Sequence, residues 1–197
     1  KVLMFLSFMF MGVTVAFIIA YIFLPASVVK VVFSLQQNAI INVNNNIQGN
    51  MNSVELFIRI FANNLKVLFF CIVFSFLYGT GSIFILTWNA SVVGAAIGNL
   101  LKSELAKGAS LIGLSNVSHY FSAVSFSFFR YMLHGTFEML AYFTAGLAGG
   151  IISIALIKHD LENDKVLTDA LDLILLSLGI LLLAAIVEVY ITPVLFM

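Results

Sequence analysis

The stretch Phe129-Arg-Tyr-Met-Leu-His-Gly-Thr-Phe-Glu-Met-Leu-Ala141, followed by Thr144-Ala-Gly-Leu-Ala-Gly-Gly150, decides how this chain must fold. It lies inside a low-charge run, residues 120–157, in which only Arg130, His134 and Glu138 can carry charge. These three recur at i, i+4 and i+8, so one continuous helix would place them along a single face. A straight helix made of the whole run would extend about 57 Å at ~1.5 Å per residue. A bilayer's hydrocarbon core is only ~30 Å thick. The length therefore predicts a break, and Gly135 is the residue that best tolerates non-helical dihedrals. The expectation is a re-entrant or surface segment over residues 120–133, a break at His134-Gly135, and a membrane span over residues 135–157. Glu138 then falls in the first turn of that span, where the helix dipole favours its negative charge.

Composition sets the class. Hydrophobic residues make up 62% of the chain and charged residues 9%, against roughly 25% charged in an average soluble domain. With a mean hydropathy of +1.12, a water-soluble globule is excluded. The formal net charge is zero, so there is no basic surface and no nucleic-acid partner is expected. Cys71 is the only cysteine, which excludes intramolecular disulfides and metal sites built on cysteine pairs.

Outward from the central stretch, apolar runs mark the other spans. Residues 2–24 are long enough to cross and end at Pro25, and they exceed the ~7–15 residues of a signal-peptide core. Residues 36–52 are rich in Asn and Gln and read as a solvated loop. Residues 53–63 are amphipathic, with Val54, Phe57, Ile58 and Phe61 on one face and a Glu55/Arg59 pair at i, i+4, the pattern of an interfacial helix. Asn63 and Asn64 place two amides at the start of a span over residues 63–78. Gly79-Thr80-Gly81 divides it from a third span, residues 82–101, which carries Asn89, Gly94 and Gly98. Residues 102–120 and 158–169 are polar connectors, and a last span over residues 170–192 carries Glu188 near its end. The fold class is thus an all-α polytopic membrane bundle of about five transmembrane helices, a single domain. Five spans put the chain's two ends on opposite sides of the membrane.

Gly94-Ala-Ala-Ile-Gly98 and Gly146-Leu-Ala-Gly-Gly150 are small-xxx-small surfaces, which let helix backbones approach closely in lipid. Packing within the protomer is their first reading and a homo-oligomer face the alternative.

The ordered set Phe61-Ala-Asn-Asn64, Gly79 with Gly81, Asn89 followed by Gly94, His134-Gly135 with Glu138, and Ala184-Ala185, Glu188 and Pro193 resembles the stage II sporulation protein M family. The likeness covers residues 54–193. Ala90 departs from it, since the family usually has Gly after the Asn. The resemblance implies a membrane scaffold, whose sporulation member serves a peptidoglycan-degrading complex with stage II sporulation proteins D and P during engulfment. It also implies a cytoplasmic N-terminus. The positive-inside rule points the other way: Lys30, Arg59, Lys66, Lys102 and Lys107 outnumber Lys1, Lys158 and Lys165 and put the Asn-rich loop in the cytoplasm.

Three function classes compete. An intramembrane enzyme needs a nucleophile or a metal. His134, Glu138 and Glu188 are the only plausible ligands, and they lack a His-Glu-x-x-His or paired-Glu motif. No catalytic residue, metal or cofactor is expected. A small transporter or channel would use the Arg130/His134/Glu138 cluster, since ionisable groups in membrane segments suggest ion pathways. A non-catalytic scaffold in the cell membrane, multi-pass and bound to protein partners in the membrane or envelope, is the reading preferred. In that reading Asn63, Asn64, Asn89, Arg130, His134, Glu138 and Glu188 are structural polar residues, and Gly79, Gly81, Gly94, Gly98, Gly135, Gly146 and Gly150 shape helix packing.

Overall fold

The computed structural model describes residues 1–48, 52–79, 82–108, 114–159 and 164–195. They form α1 (Val2–Phe23), α2 (Ala26–Val32), α3 (Ser34–Gln48), α4 (Ser53–Tyr78), α5 (Ser82–Gly108), α6 (Leu114–Ile157) and α7 (Asp164–Ile186). A π-helical turn, Val187–Ile191, and a short α8, Thr192–Leu195, follow α7. Five segments are long and apolar enough to cross a membrane: Val2–Phe23, Ser53–Tyr78, Ser82–Ala106, Gly135–Ile157 and Asp164–Leu195. The protein is an all-α membrane protein.

Three helix pairs carry most of the packing: α6 with α7, α1 with α5 and α4 with α6. α1 lies along α5, because Gly94 and Gly98 remove the side chains that would hold the two backbones apart. A Cβ at Gly94 would come within 2.7 Å of Phe17 Cβ and 2.9 Å of the Thr14 carbonyl oxygen. One at Gly98 would come within 2.7 Å of Tyr21 Cβ. α4 lies along α6 by the same device, with Gly149 against the Ile72 carbonyl and Ser75. Gly146 makes room for Ser82 at the start of α5. Between these pairs sits one apolar core, in which Phe10, Leu86, Met139, Tyr142, Phe143 and Leu181 meet from four helices. The outer faces carry exposed Phe5, Phe8, Phe70, Leu175, Leu176 and Leu183. Such residues face lipid tails at no cost, so inter-helix adhesion must come from close packing and polar contacts.

Several expectations are corrected here. α6 runs unbroken through His134-Gly135, and the Thr136 hydroxyl donates to the Met132 carbonyl at 2.7 Å across the expected break. Gly in a helix interior costs only about 1 kcal/mol relative to Ala. No neighbour forces it out of the helix, since a Cβ at Gly135 would meet nothing within 4 Å. The length argument failed because only Gly135–Ile157 qualifies as a span; the Ser-containing turns before it prolong the same helix and need no re-entrant segment. Residues 53–63 are likewise the opening turns of α4, not a separate helix. The Asn52 side chain caps them by accepting from the amides of Val54 and Glu55.

The Asn-rich segment is helical up to Gln48. Just before it, Val29 and Phe33 bury themselves with Tyr21 and Ala95, and edge-to-face contacts of Phe33 with Phe17 and Tyr21 hold the α2–α3 junction to α1. Its glutamines find partners in the bundle: Gln36 donates to Ser91 Oγ at 3.2 Å and Gln37 to the Tyr21 hydroxyl at 2.9 Å. A polar composition read as solvated is here partly spent between helices. α5 and α7 also reach into the expected connectors, to Gly108 and from Asp164 respectively.

Candidate functional site

The polar centre of the bundle forms where α4, α6 and the π-helical turn meet. Asn64 is buried near the middle of α4, and its Nδ2 donates to Glu138 Oε1 on α6. Glu138 in turn interacts electrostatically with Glu188. Tyr142 lies one turn beyond Glu138, 1% exposed, within electrostatic range of Glu138, Cys71 and Glu188. Cys71, 0% exposed, stands on α4 two turns after Asn64. The site is thus two carboxylates, an amide, a phenol and a thiol contributed by three helical elements.

Why the sequence folds this way locally follows from helical spacing. Asn64, Leu68, Cys71 and Ser75 fall at i, i+4, i+7 and i+11, one face of α4, and all four are buried. Glu138 and Tyr142 share a face of α6 at i, i+4. Glu188 sits in a segment where the helix widens to π hydrogen bonding, between Ile186 and Thr192. The Thr192 hydroxyl donates to the Val187 carbonyl at 3.0 Å, an oxygen that also accepts the Thr192 backbone N–H in the π pattern. Single π turns of this kind recur at functional sites.

The expected basis for Glu138 is revised. Because α6 begins at Leu114, Glu138 is far into a helix interior, and the dipole effect fades beyond the first turn. Its stabilising donor is the Asn64 side chain instead. Of the other residues singled out, Asn63 is exposed and lies outside the cluster. Asn89 donates back to the Ile85 carbonyl of its own helix at 2.9 Å. The unbroken α6 keeps positions 130, 134 and 138 on one face, while the side chains of Arg130 and His134 lie outside the described residues. Gly81 lies outside them too. Gly79 ends α4 at φ +67°, a left-handed conformation that favours glycine. Gly150 has only ordinary contacts, at 3.7 Å and 3.9 Å.

Three participants went unnoticed in the sequence. Tyr142 was legible as the i+4 neighbour of Glu138. Gly149 was masked by the four-residue motif, which selects Gly150. Lys102 was read as a connector residue. Its ammonium donates to the carbonyls of Leu24 at 2.7 Å and Tyr21 at 3.3 Å, and so closes the C-terminal end of α1. No group of three or more His, Cys, Asp or Glu side chains suited to a metal ion occurs among the described residues.

An uncharacterised protein of Methanocaldococcus jannaschii is 31% identical over 144 residues, covering 70% of this chain and 71% of its own. No solved structure matches the chain. The model of the stage II sporulation protein M family matches residues 2–193, nearly the whole length and including the Asn64, Glu138 and Glu188 positions, so the chain belongs to the stage II sporulation protein M family.

Proposed function

We propose that this protein is a non-catalytic, multi-pass scaffold of the cell membrane, organising partner proteins in the membrane or envelope. The observation that carries the reading is how its interhelical polar side chains are used. Asn64 binds Glu138, Gln36 binds Ser91, Gln37 and Asn99 converge on Tyr21, and Lys102 closes α1. Each contact fastens one helix to another, as polar groups do in bundles that must hold a fixed shape in lipid. Family membership supports the same role, and lipid-facing apolar surface provides room for membrane partners or for a second copy of the chain. Crosslinking in native membranes followed by affinity purification tests it. A reproducible set of membrane or envelope proteins is expected, retained with Glu138→Gln and lost with Glu138→Ala, which removes the Asn64 contact. Recovery of no such set, together with solute flux into vesicles containing the purified protein, overturns it.

That flux outcome belongs to a second reading, a small transporter or channel using the Arg130/His134/Glu138 face. The observation favouring it is the second carboxylate, Glu188, held near Glu138 inside the bundle.

A further inference from the structure

The segment between α1 and α4 has both its ends on one side of the bundle. α1 runs parallel to α5, since Gly94 lies against Phe17, Gly98 against Tyr21, and Lys102 reaches Leu24, in the same order along both helices. α4 and α5 are spans joined across residues 79–81, and so short a link makes them cross in opposite directions. α1 and α4 are therefore antiparallel, and the chain leaves one and enters the other on the same side. α2 and α3 fill that interval, and neither is among the helices long and apolar enough to cross. They nevertheless reach deep. Val29 and Phe33 pack with Ala95, and Gln36 meets Ser91. Ser91 lies 11 residues before Lys102, which closes the end of α1, or about 16 Å at ~1.5 Å per residue. That is about half of a ~30 Å hydrocarbon core.

The two arms of this segment are held unequally. Val29 and Phe33 are 4% and 1% exposed, whereas none of the described side chains of α3, residues 34–41, is buried. Amide hydrogen bonds hold α3 instead. Gln36 donates to Ser91 Oγ and Gln37 to the Tyr21 hydroxyl, which itself donates to Asn99 Oδ1. Between the arms the helix is interrupted at Phe33, whose φ of −101° and ψ of 17° are not helical. The closed position also carries a penalty: Gln36 Oε1 is buried without a hydrogen-bond partner among the described residues, and a buried acceptor left unpaired is destabilising. Asn99 is exposed and Ser91 buried, so these polar groups form a line from the surface toward the middle of the bundle. Segments with few buried apolar contacts are the ones that open locally. Irregular backbone at membrane depth is tolerated where protein covers it or where it lines a water-filled cavity.

We propose that α2–α3 is a re-entrant segment whose second arm, α3, is a lid. Hinged at Phe33 and latched by Gln36 and Gln37, it closes the polar line that runs from Asn99 past Tyr21 to Ser91. Opening admits water along that line from the side where α1 ends, while α2 stays anchored by Val29 and Phe33. The lid goes beyond the scaffold reading and does not depend on it.

The test labels introduced cysteines with a membrane-impermeant maleimide in sealed membrane vesicles and reads each site by mass spectrometry. α6 runs parallel to α4, with Asn64 at Glu138 and Ile72 at Gly149, so Ser53→Cys and Lys158→Cys mark opposite sides. Ile41→Cys, at a position 51% exposed on α3, should label from the side of Ser53→Cys. Labelling from the side of Lys158→Cys, or from neither, overturns the re-entrant path. Ser91→Cys should label slowly in the folded protein while the buried Cys71 stays protected. Gln37→Ala, which cuts the latch to Tyr21, should speed that labelling about fivefold. A rate unchanged by Gln37→Ala overturns the lid, as does labelling of Ser91→Cys only in step with Cys71, which marks loosening of the whole bundle. If Gln37→Ala does not fold, the order in which Ser91→Cys and Cys71 label decides.

Discussion

Replacing Gly149 by Ala should destabilise the protein, whereas the same change at the adjacent Gly150 should not. A Cβ on Gly149 would lie 2.5 Å from the Ile72 carbonyl oxygen and 2.9 Å from Ser75 Cβ, where ordinary contact begins at 3.4 Å. The nearer atom is backbone, so relief requires α4 to retreat by about 0.9 Å from α6, carrying Asn64 away from Glu138. Overpacking of that kind costs about 1–3 kcal/mol. At Gly150 the nearest atoms are 3.7 Å and 3.9 Å away, and at Gly135 nothing lies within 4 Å. Both changes gain up to ~1 kcal/mol of helix propensity. Because all three variants share the propensity gain, comparing them isolates the packing cost. At roughly 2–4 °C per kcal/mol for a chain of this size, Gly149→Ala should melt roughly 3–10 °C below Gly150→Ala. The assay is thermal loss of helical circular dichroism in detergent. Equal melting of Gly149→Ala and Gly150→Ala refutes the α4–α6 contact. A loss of stability in Gly135→Ala refutes the unbroken α6, because Ala is penalised only where the chain leaves the helix there.

Two further outcomes are expected. Lys102→Met should lower stability by about 1–2 kcal/mol, since it strips the ammonium from the carbonyls that end α1, while Lys66→Met, at an exposed position, should stay within about 0.5 kcal/mol; the same thermal melts compare them. Cys71, fully buried, should resist a thiol-directed maleimide in the folded protein and label in step with unfolding, whereas immediate labelling of the native state contradicts its packing in the core.

The membrane class and five spans were legible because lipid imposes one rule at every apolar position, and long low-charge runs satisfy it in only one way. Helix interruptions were not legible in the same way. A Gly inside an apolar run marks tolerance of a break, whereas a break occurs only if neighbours require it, and around Gly135 none do. The glycine motif located the right face of α6 but chose Gly150 over Gly149. Which of two adjacent glycines meets the next backbone depends on the rotation and crossing of helices, quantities that spacing alone leaves free. The Asn-rich segment misled for a related reason: amide side chains look solvated until the bundle offers Ser91 and Tyr21 as partners. Glu138 was singled out from its charge, its helical spacing from His134 and Arg130 and the family resemblance, and its setting came from elsewhere. Its donor lies on α4, its second carboxylate beyond α7, and its phenol one turn along α6. Only the last of these is local in sequence. The polar centre is therefore a product of tertiary assembly, and no single helix read alone could have composed it.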